Sequence, residues 1–158
     1  MKAVQFKTTG GPEVLDLVEL PTPRPGDDEV LIRIHAAGVG KPDVLMRSGV
    51  YRWMPPLPAV PGAEMSGTIE ALGSAADTNR LRVGQRVLGY HFKGRGYAEY
   101  AAIPASDVTP LAEGIDFDDA VSIPNYQVAY ALLHVAARGA DKQIVYVNGA
   151  AGGSGCAV

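Results

Sequence analysis

A chain of 158 residues, 47% hydrophobic and 20% charged, can build one packed domain, or one domain and part of another. Its net charge of −3 offers no basic surface to nucleic acid, and no run of about 18 apolar residues offers a membrane span. Met1 to Phe6 go straight into alternating residues rather than the apolar stretch of a secretory leader, and the single cysteine excludes an internal disulfide and fits a reducing cytoplasm. The unusual figures are 19 glycines and 12 prolines, which imply many turns and therefore many short strands.

Residues 2 to 7 alternate, with Val4 and Phe6 on one face, and stop at Gly10-Gly11-Pro12. Glu13 to Leu20 forms a second segment, stopped by Pro21, Pro23 and Pro25, and the two read as paired strands. Glu29 to Ala37 is the clearest strand, with Val30, Ile32, Ile34 and Ala36 on one side and Leu31, Arg33 and His35 on the other. Pro42-Asp43 opens a short helix that Gly49 ends. Met65 to Leu72 is a strand whose central Gly67 marks a bulge or a close backbone approach. Gln85 to Tyr90 and Tyr97 to Ile103 complete a series whose spacing, up to Pro110, predicts a closed or sandwiched all-β unit.

The pattern then changes. Asp116 caps a helix from Phe117, Pro124 interrupts, and a second helix from Tyr126 to Ala137 carries the apolar stripe Val128, Leu132 and Val135 before Gly139 closes it. Ile144 to Val147 reads as a strand buried on both faces of a parallel sheet. Next, Ala150-Ala151-Gly152-Gly153-Ser154-Gly155 fits G-x-G-x-x-G with Ala in place of the first Gly. Small residues there let the backbone turn sharply and approach a pyrophosphate. The expected division is a β-barrel over 1–120 and the start of an α/β dinucleotide-binding unit over 121–158. A dinucleotide site also needs a second strand, so this chain by itself is expected to bind weakly and be inactive. Residues after about Ala140 are expected to be mobile or paired with another chain.

The residues His35-Ala36-Ala37-Gly38-Val39, Asp43, Arg47-Ser48-Gly49, Pro61-Gly62-Ala63-Glu64, Val83-Gly84-Gln85-Arg86-Val87, Gly96-Tyr97-Ala98-Glu99-Tyr100 and the glycine motif follow one another in an order that resembles the medium-chain dehydrogenase/reductase superfamily. The resemblance covers roughly the first half of such a protein. It implies a mainly β, GroES-like barrel followed by the start of an α/β Rossmann domain. Zinc-dependent members carry Cys where Gly40 stands and His where Ala63 stands. Neither side chain here has a lone pair, and a catalytic zinc needs three protein ligands, so no metal site is expected. His35, His91 and His134 read as packed or solvated residues.

What remains is the zinc-independent branch of quinone oxidoreductases and 2-enoyl thioester reductases, which usually use NADPH. NADH is not excluded, because the residue that decides lies about 20 positions past the motif. The resemblance implies cofactor contacts from Ala150, Ala151, Gly152, Gly153, Ser154 and Gly155. It sets Tyr51 at the position of a tyrosine that assists proton delivery in enoyl thioester reductases, where a phenol can donate or relay a proton. The alternative for Tyr51 is an aromatic packed at a loop edge. Asp43 is either a site acid or the cap of its short helix, and Glu64 a polar group behind the site or, preferably, a satisfied strand-end carboxylate. Many members have Asn at Gly40 and some have Tyr at Leu45, so this site is more apolar than theirs. Trp53 and its neighbouring prolines line a substrate mouth or merely pack the loop.

The expected function is zinc-independent, NADPH-dependent reduction of quinones or similar electron-poor acceptors, with a small-molecule acceptor as the partner and a cytoplasmic location. Reduction of an activated C=C bond is the alternative within the superfamily, and a truncated, non-catalytic fragment acting through protein contacts is the alternative outside it. A homodimer stays open for the complete protein.

Overall fold

The computed structural model describes residues 1–77, 79–137 and 144–158. The chain divides into two compact units, Met1–Val121 and Ser122–Val158.

The first unit is built on alternating strands. β1 (Lys2–Gln5) and β2 (Asp16–Glu19) pair as an antiparallel ribbon, joined through a 3₁₀ turn at Pro12–Val14 that takes up the start of the second expected strand. β3 (Glu29–Ala37), β4 (Glu64–Leu72), β5 (Arg86–Tyr90), β6 (Tyr100–Pro104) and β7 (Val108–Pro110) form an antiparallel sheet in the order β6-β3-β4-β5-β7. The ribbon is stitched to the sheet's loops by bridges at Ala3–Ala98 and Phe6–Ala59. β3 occupies the span its alternation predicts. β7 has no such pattern, and its three residues become a strand only through pairing with Val87 to Gly89. The β3–β4 register shifts between Ile34 and Ala36, and a Cβ on Gly67 would stand 2.1 Å from the Arg33 carbonyl, so the close approach read from that glycine is real.

Val30, Ile32, Met65, Ile69, Val87, Ile103 and Val108 meet in one fully buried core, alternation setting the first two on its side of β3. Each such side chain contributes roughly 1.5–3 kcal/mol by leaving water. A second, smaller cluster of Phe6, Met46 and Ala59 seats α1 (Lys41–Arg47) beside the ribbon, with Tyr51 and Met54 packed against it. α2 (Phe117–Ala120) is fixed from the sheet: Ser66 donates to the Phe117 carbonyl at 2.7 Å, His35 stacks on the Phe117 ring at 4.4 Å, and Arg86 lies over that ring. His91 is tied to Asp107 at 2.7 Å, which gives this turn histidine a structural partner.

The second unit departs from expectation in three places. α3 (Ile123–Tyr130) contains Pro124 in its first turn, where a missing N–H costs nothing, so the proline starts the helix instead of interrupting it. The helix continues as a π-helical segment, Ala131–Ala136, with the Ala137 N–H reaching the Leu132 carbonyl. Val128, Leu132 and Val135 are exposed, because the described residues of this unit contain no sheet for their stripe to cover. Gly139 lies outside the described residues. Ile144 to Val147 is not a buried strand: it has no ladder partner, and Ile144 and Tyr146 are almost fully exposed. An apolar β-branched run becomes a central strand only when neighbours satisfy its backbone groups, and none is present among the described residues. The unit ends in the short helix α4 (Gly153–Cys156). Among the described residues no helix is long and apolar enough to cross a membrane.

Candidate active site

Asp43 organises the site. It stands at the third position of α1, and its Oδ2 accepts the Gly40 N–H at 2.8 Å, the reach-back half of a capping box. Its Oδ1 accepts the N–H groups of Gly62 at 2.9 Å and Ala63 at 3.2 Å. The carboxylate is only 6% exposed and is satisfied by three backbone donors, so the capping role is the one its contacts describe. Gly62 can sit there because it has no side chain: its φ is +97°, and a Cβ would meet the Tyr97 ring at 2.5 Å.

Gly40 and Ala63 are the two positions whose side chains, on the resemblance drawn from the sequence, offer no ligand to zinc. Here both turn their backbone N–H groups onto one carboxylate. Among the described residues no group of three or more His, Cys, Asp or Glu side chains is placed to hold a metal ion.

Around Asp43 lie one further carboxyl group and three phenols. Glu64 begins β4 directly after the Gly62–Ala63 turn, and its carboxyl folds over Gly38, where a Cβ would be 2.4 Å from Oε2. Burial pushes that carboxyl above the ordinary glutamate range and the charge of Asp43 adds to the effect, with no hydrogen bond acting against them. Glu64 stands half-buried at the strand end that its sequence position suggests. The Tyr97 hydroxyl donates to the Gly38 carbonyl at 3.3 Å, and burial, followed by Asp43 and then Glu64, raises its pKa. Tyr90, at the end of β5, is raised by burial and then by Tyr51, Glu64 and Asp43. Tyr51 is raised by burial and by Asp43. All three phenols thus hold their protons near neutral pH.

Tyr51 is half of each alternative. Its ring packs on the Phe6–Met46–Ala59 cluster, while its hydroxyl belongs to the same electrostatic neighbourhood as Asp43 and Tyr90. Its ring also starts an aromatic wall: Tyr51 meets Trp53 at 5.5 Å, Trp53 meets Phe92 at 5.3 Å, and Phe92 meets Tyr90 at 5.2 Å. Trp53 and Phe92 are each about half exposed, so the wall has an open face. Tyr90 and Phe92 escaped the sequence reading. The only signal for Tyr90 was its place at a strand end, and Tyr97 stood unremarked inside a family motif.

The glycine motif is placed in the second unit. Ala150 and Ala151 lie in a turn, the Gly152 N–H donates to the Gly149 carbonyl at 2.9 Å, and Gly152 precedes the first residue of α4. A Cβ on Gly155 would stand 2.4 Å from the Gly149 carbonyl oxygen, and one on Gly153 would stand 2.6 Å from Asn125 Oδ1. Ser154 contacts the same Asn125 oxygen at 3.4 Å. The loop leaves no room for a side chain at Gly153 or Gly155, and a tight turn of such small residues fits a dinucleotide loop.

Comparison with known proteins agrees with this architecture. Residues 26–113 match the alcohol dehydrogenase GroES-like domain family. The chain is 40% identical over 160 aligned residues to the quinone oxidoreductase of Homo sapiens, covering 99% of this chain and 48% of that protein. It superposes on the human synaptic vesicle membrane protein VAT-1 homolog-like protein with a TM-score of 0.93 at 33% identity, covering 99% of this chain and 50% of that one. It superposes on the quinone oxidoreductase of Thermus thermophilus, also determined in complex with NADPH, with a TM-score of 0.82 at 35% identity, covering 99% and 48%. The chain therefore spans about half the length of the relatives it matches. It belongs to the alcohol dehydrogenase GroES-like domain family, in the quinone oxidoreductase and VAT-1 branch of the medium-chain dehydrogenase/reductase superfamily.

Proposed function

We propose that this chain is the N-terminal half of a zinc-independent, NADPH-dependent reductase of quinones or similarly electron-poor acceptors, and that it supplies the acceptor site. The observation that carries the reading is the double use of Asp43: it holds the backbone of Gly40 and Ala63, so an organic framework stands where a metal would otherwise polarise the substrate. The 40% identity to a quinone oxidoreductase along nearly the whole chain supports the same reading.

The glycine loop from Ala150 to Gly155 would hold the pyrophosphate through backbone N–H groups at the start of α4, which a helix leaves without internal acceptors. When bound, NADPH would supply the hydride. The chain's own residues do the rest. Tyr51, protonated at working pH, donates a hydrogen bond to the acceptor oxygen on which negative charge develops. Tyr51, Trp53, Phe92 and Tyr90 offer ring faces to a planar acceptor and displace water from it. Asp43 keeps the turn at Gly62 and Ala63 rigid beneath them.

A second reading, reduction of a C=C bond conjugated to a carbonyl, is favoured by Tyr51, since that chemistry needs a proton donor as well as a hydride. The test is NADPH consumption by the full-length protein with a benzoquinone and, separately, with a 2-enoyl thioester. Faster turnover of the quinone supports the first reading. Turnover of the thioester alone replaces it with the second, and turnover of neither defeats both.

A further inference from the structure

His91 stands in the chain between two members of the aromatic wall, Tyr90 and Phe92, whose rings meet at 5.2 Å. Its own ring turns to Asp107. The imidazole Nδ1 lies 2.7 Å from Asp107 Oδ2, and since an ionised carboxylate only accepts, His91 donates from Nδ1. Asp107 ends the 3₁₀ turn Ala105–Asp107, which leads from β6 into β7. The His91 backbone is committed as well. Its N–H donates to the Ala63 carbonyl at 2.8 Å, and its carbonyl accepts the Gly94 N–H at 3.0 Å. The second bond closes a four-residue turn with Phe92 and Lys93 at its two central positions. Beyond the turn, the Arg95 N–H donates to the Val60 carbonyl at 2.8 Å and the Arg95 guanidinium pairs with Glu29 at 3.0 Å. His91 is thus the foot of the turn from which Phe92 reaches Trp53 at 5.3 Å. The other ring nitrogen of His91, Nε2, is buried and has no partner among the described residues. A side chain kept only to fill this space would be apolar, because a buried nitrogen without a partner costs stability. What the imidazole supplies is the bond to Asp107.

We propose that the His91–Asp107 pair positions the acceptor wall: it locks the turn that presents Phe92 to Trp53, and so sets how tightly a planar acceptor binds. The inference rests on the reductase reading above. His91 is a positioning residue that acts through Phe92 and makes no contact of its own with the acceptor. Phe92 is about half exposed, so packing alone holds its ring weakly and the conformation of its turn decides where the ring stands. Loss of the pair should therefore cost acceptor binding and spare the transfer of hydride. An acceptor of two fused rings covers more of the wall than a single ring does, so it should suffer more.

The test has two readouts. The first is acrylamide quenching of fluorescence in this chain, whose single tryptophan is Trp53. Phe92→Ala should make Trp53 easier to quench, and His91→Ala should do the same. The double variant should be quenched no more readily than Phe92→Ala, since the two changes remove one and the same contact. The second readout is steady-state kinetics of the full-length protein with NADPH. His91→Ala should raise KM for 1,4-naphthoquinone roughly 3–10-fold, the worth of one aromatic contact, with a smaller rise for benzoquinone and kcat nearly unchanged. His91→Asn, whose amide N–H stands where Nδ1 does and can still donate to Asp107, should stay near the unaltered protein on both readouts. If His91→Ala does not fold, Asp107→Asn takes its place, with shifts in the same direction. Quenching and KM unmoved in the variant that folds overturn the proposal. So do a fall in kcat at constant KM, effects that add in the double variant, and a His91→Asn as impaired as His91→Ala. Any of these leaves the reductase reading standing. Absence of quinone reduction by the unaltered protein overturns that reading and the acceptor role of the pair with it, even where quenching shows His91 holding Phe92 in place.

Discussion

Asp43 and Gly62 are nineteen residues apart, and the Asp43 carboxylate accepts the Gly62 N–H at 2.9 Å, tying the first turn of α1 to the loop that feeds β4. Because Ala63 and Gly40 donate to the same carboxylate, one side chain holds three backbone N–H groups and ties two backbone segments together. Removing it leaves buried donors without an acceptor, at about 1–3 kcal/mol for each group left unsatisfied. Asp43→Ala should therefore lower the unfolding free energy by about 3 kcal/mol or more in urea titrations of this chain. A loss below about 1 kcal/mol would mean that the three contacts are not the hold described here.

Glu64 makes stability depend on pH with a definite sign. Its carboxyl titrates higher in the folded chain than in the unfolded one, so its contribution is complete below the ordinary glutamate value and is lost as pH rises through the raised value. Glu64→Gln should abolish that loss. Urea unfolding of both proteins across this window should show the variant gaining on the parent as pH rises. A constant difference would contradict the raised carboxyl.

Tyr51→Phe separates two roles of one side chain. The ring is kept, so its packing on the Phe6, Met46 and Ala59 cluster and its contact with Trp53 survive, and stability should hold. If the hydroxyl assists proton delivery, kcat of the full-length protein falls about 10²–10⁴-fold with little change in KM. An unaltered rate would leave Tyr51 a packing residue.

Amide exchange should divide the chain as its backbone pairing does. Ile32 is fully buried and paired on both sides, by Ile69 of β4 and Ala101 of β6, and should be protected close to the global stability. Tyr146 is 90% exposed and has no ladder partner among the described residues, so it should exchange rapidly. Protection at Tyr146 equal to that at Ile32 would show that the Ile144 to Val147 run has found a sheet after all.

The difference between these two segments is also the difference between what could and could not be read from sequence. β3 was legible because alternation is local: each residue from Glu29 to Ala37 declares its face through its neighbours. Gly67 was legible because a glycine inside a strand has few other uses. The run Ile144 to Val147 has equally strong local character, yet a central strand is a property of its neighbours, and the run has none among the described residues. β7 is the converse, three residues with no pattern that become a strand by pairing with β5. At the site, Asp43 and Tyr51 stood out through a helix start and a family position. For Glu64 the sequence shows a strand end, but only the fold shows that Asp43 takes the N–H groups of the turn just before it. Tyr90 could not be placed without the β4–β5 register that sets it opposite Glu64.

On the proposed function, hydride reduction at this site proceeds on an organic framework held by Asp43, with no metal beside Gly40 and Ala63. The most direct measurement is benzoquinone-dependent oxidation of NADPH by the full-length protein, before and after exhaustive treatment with a strong chelator. Turnover should survive the chelator undiminished and should not rise when zinc is added. Turnover that disappears with the chelator and returns with zinc would contradict it.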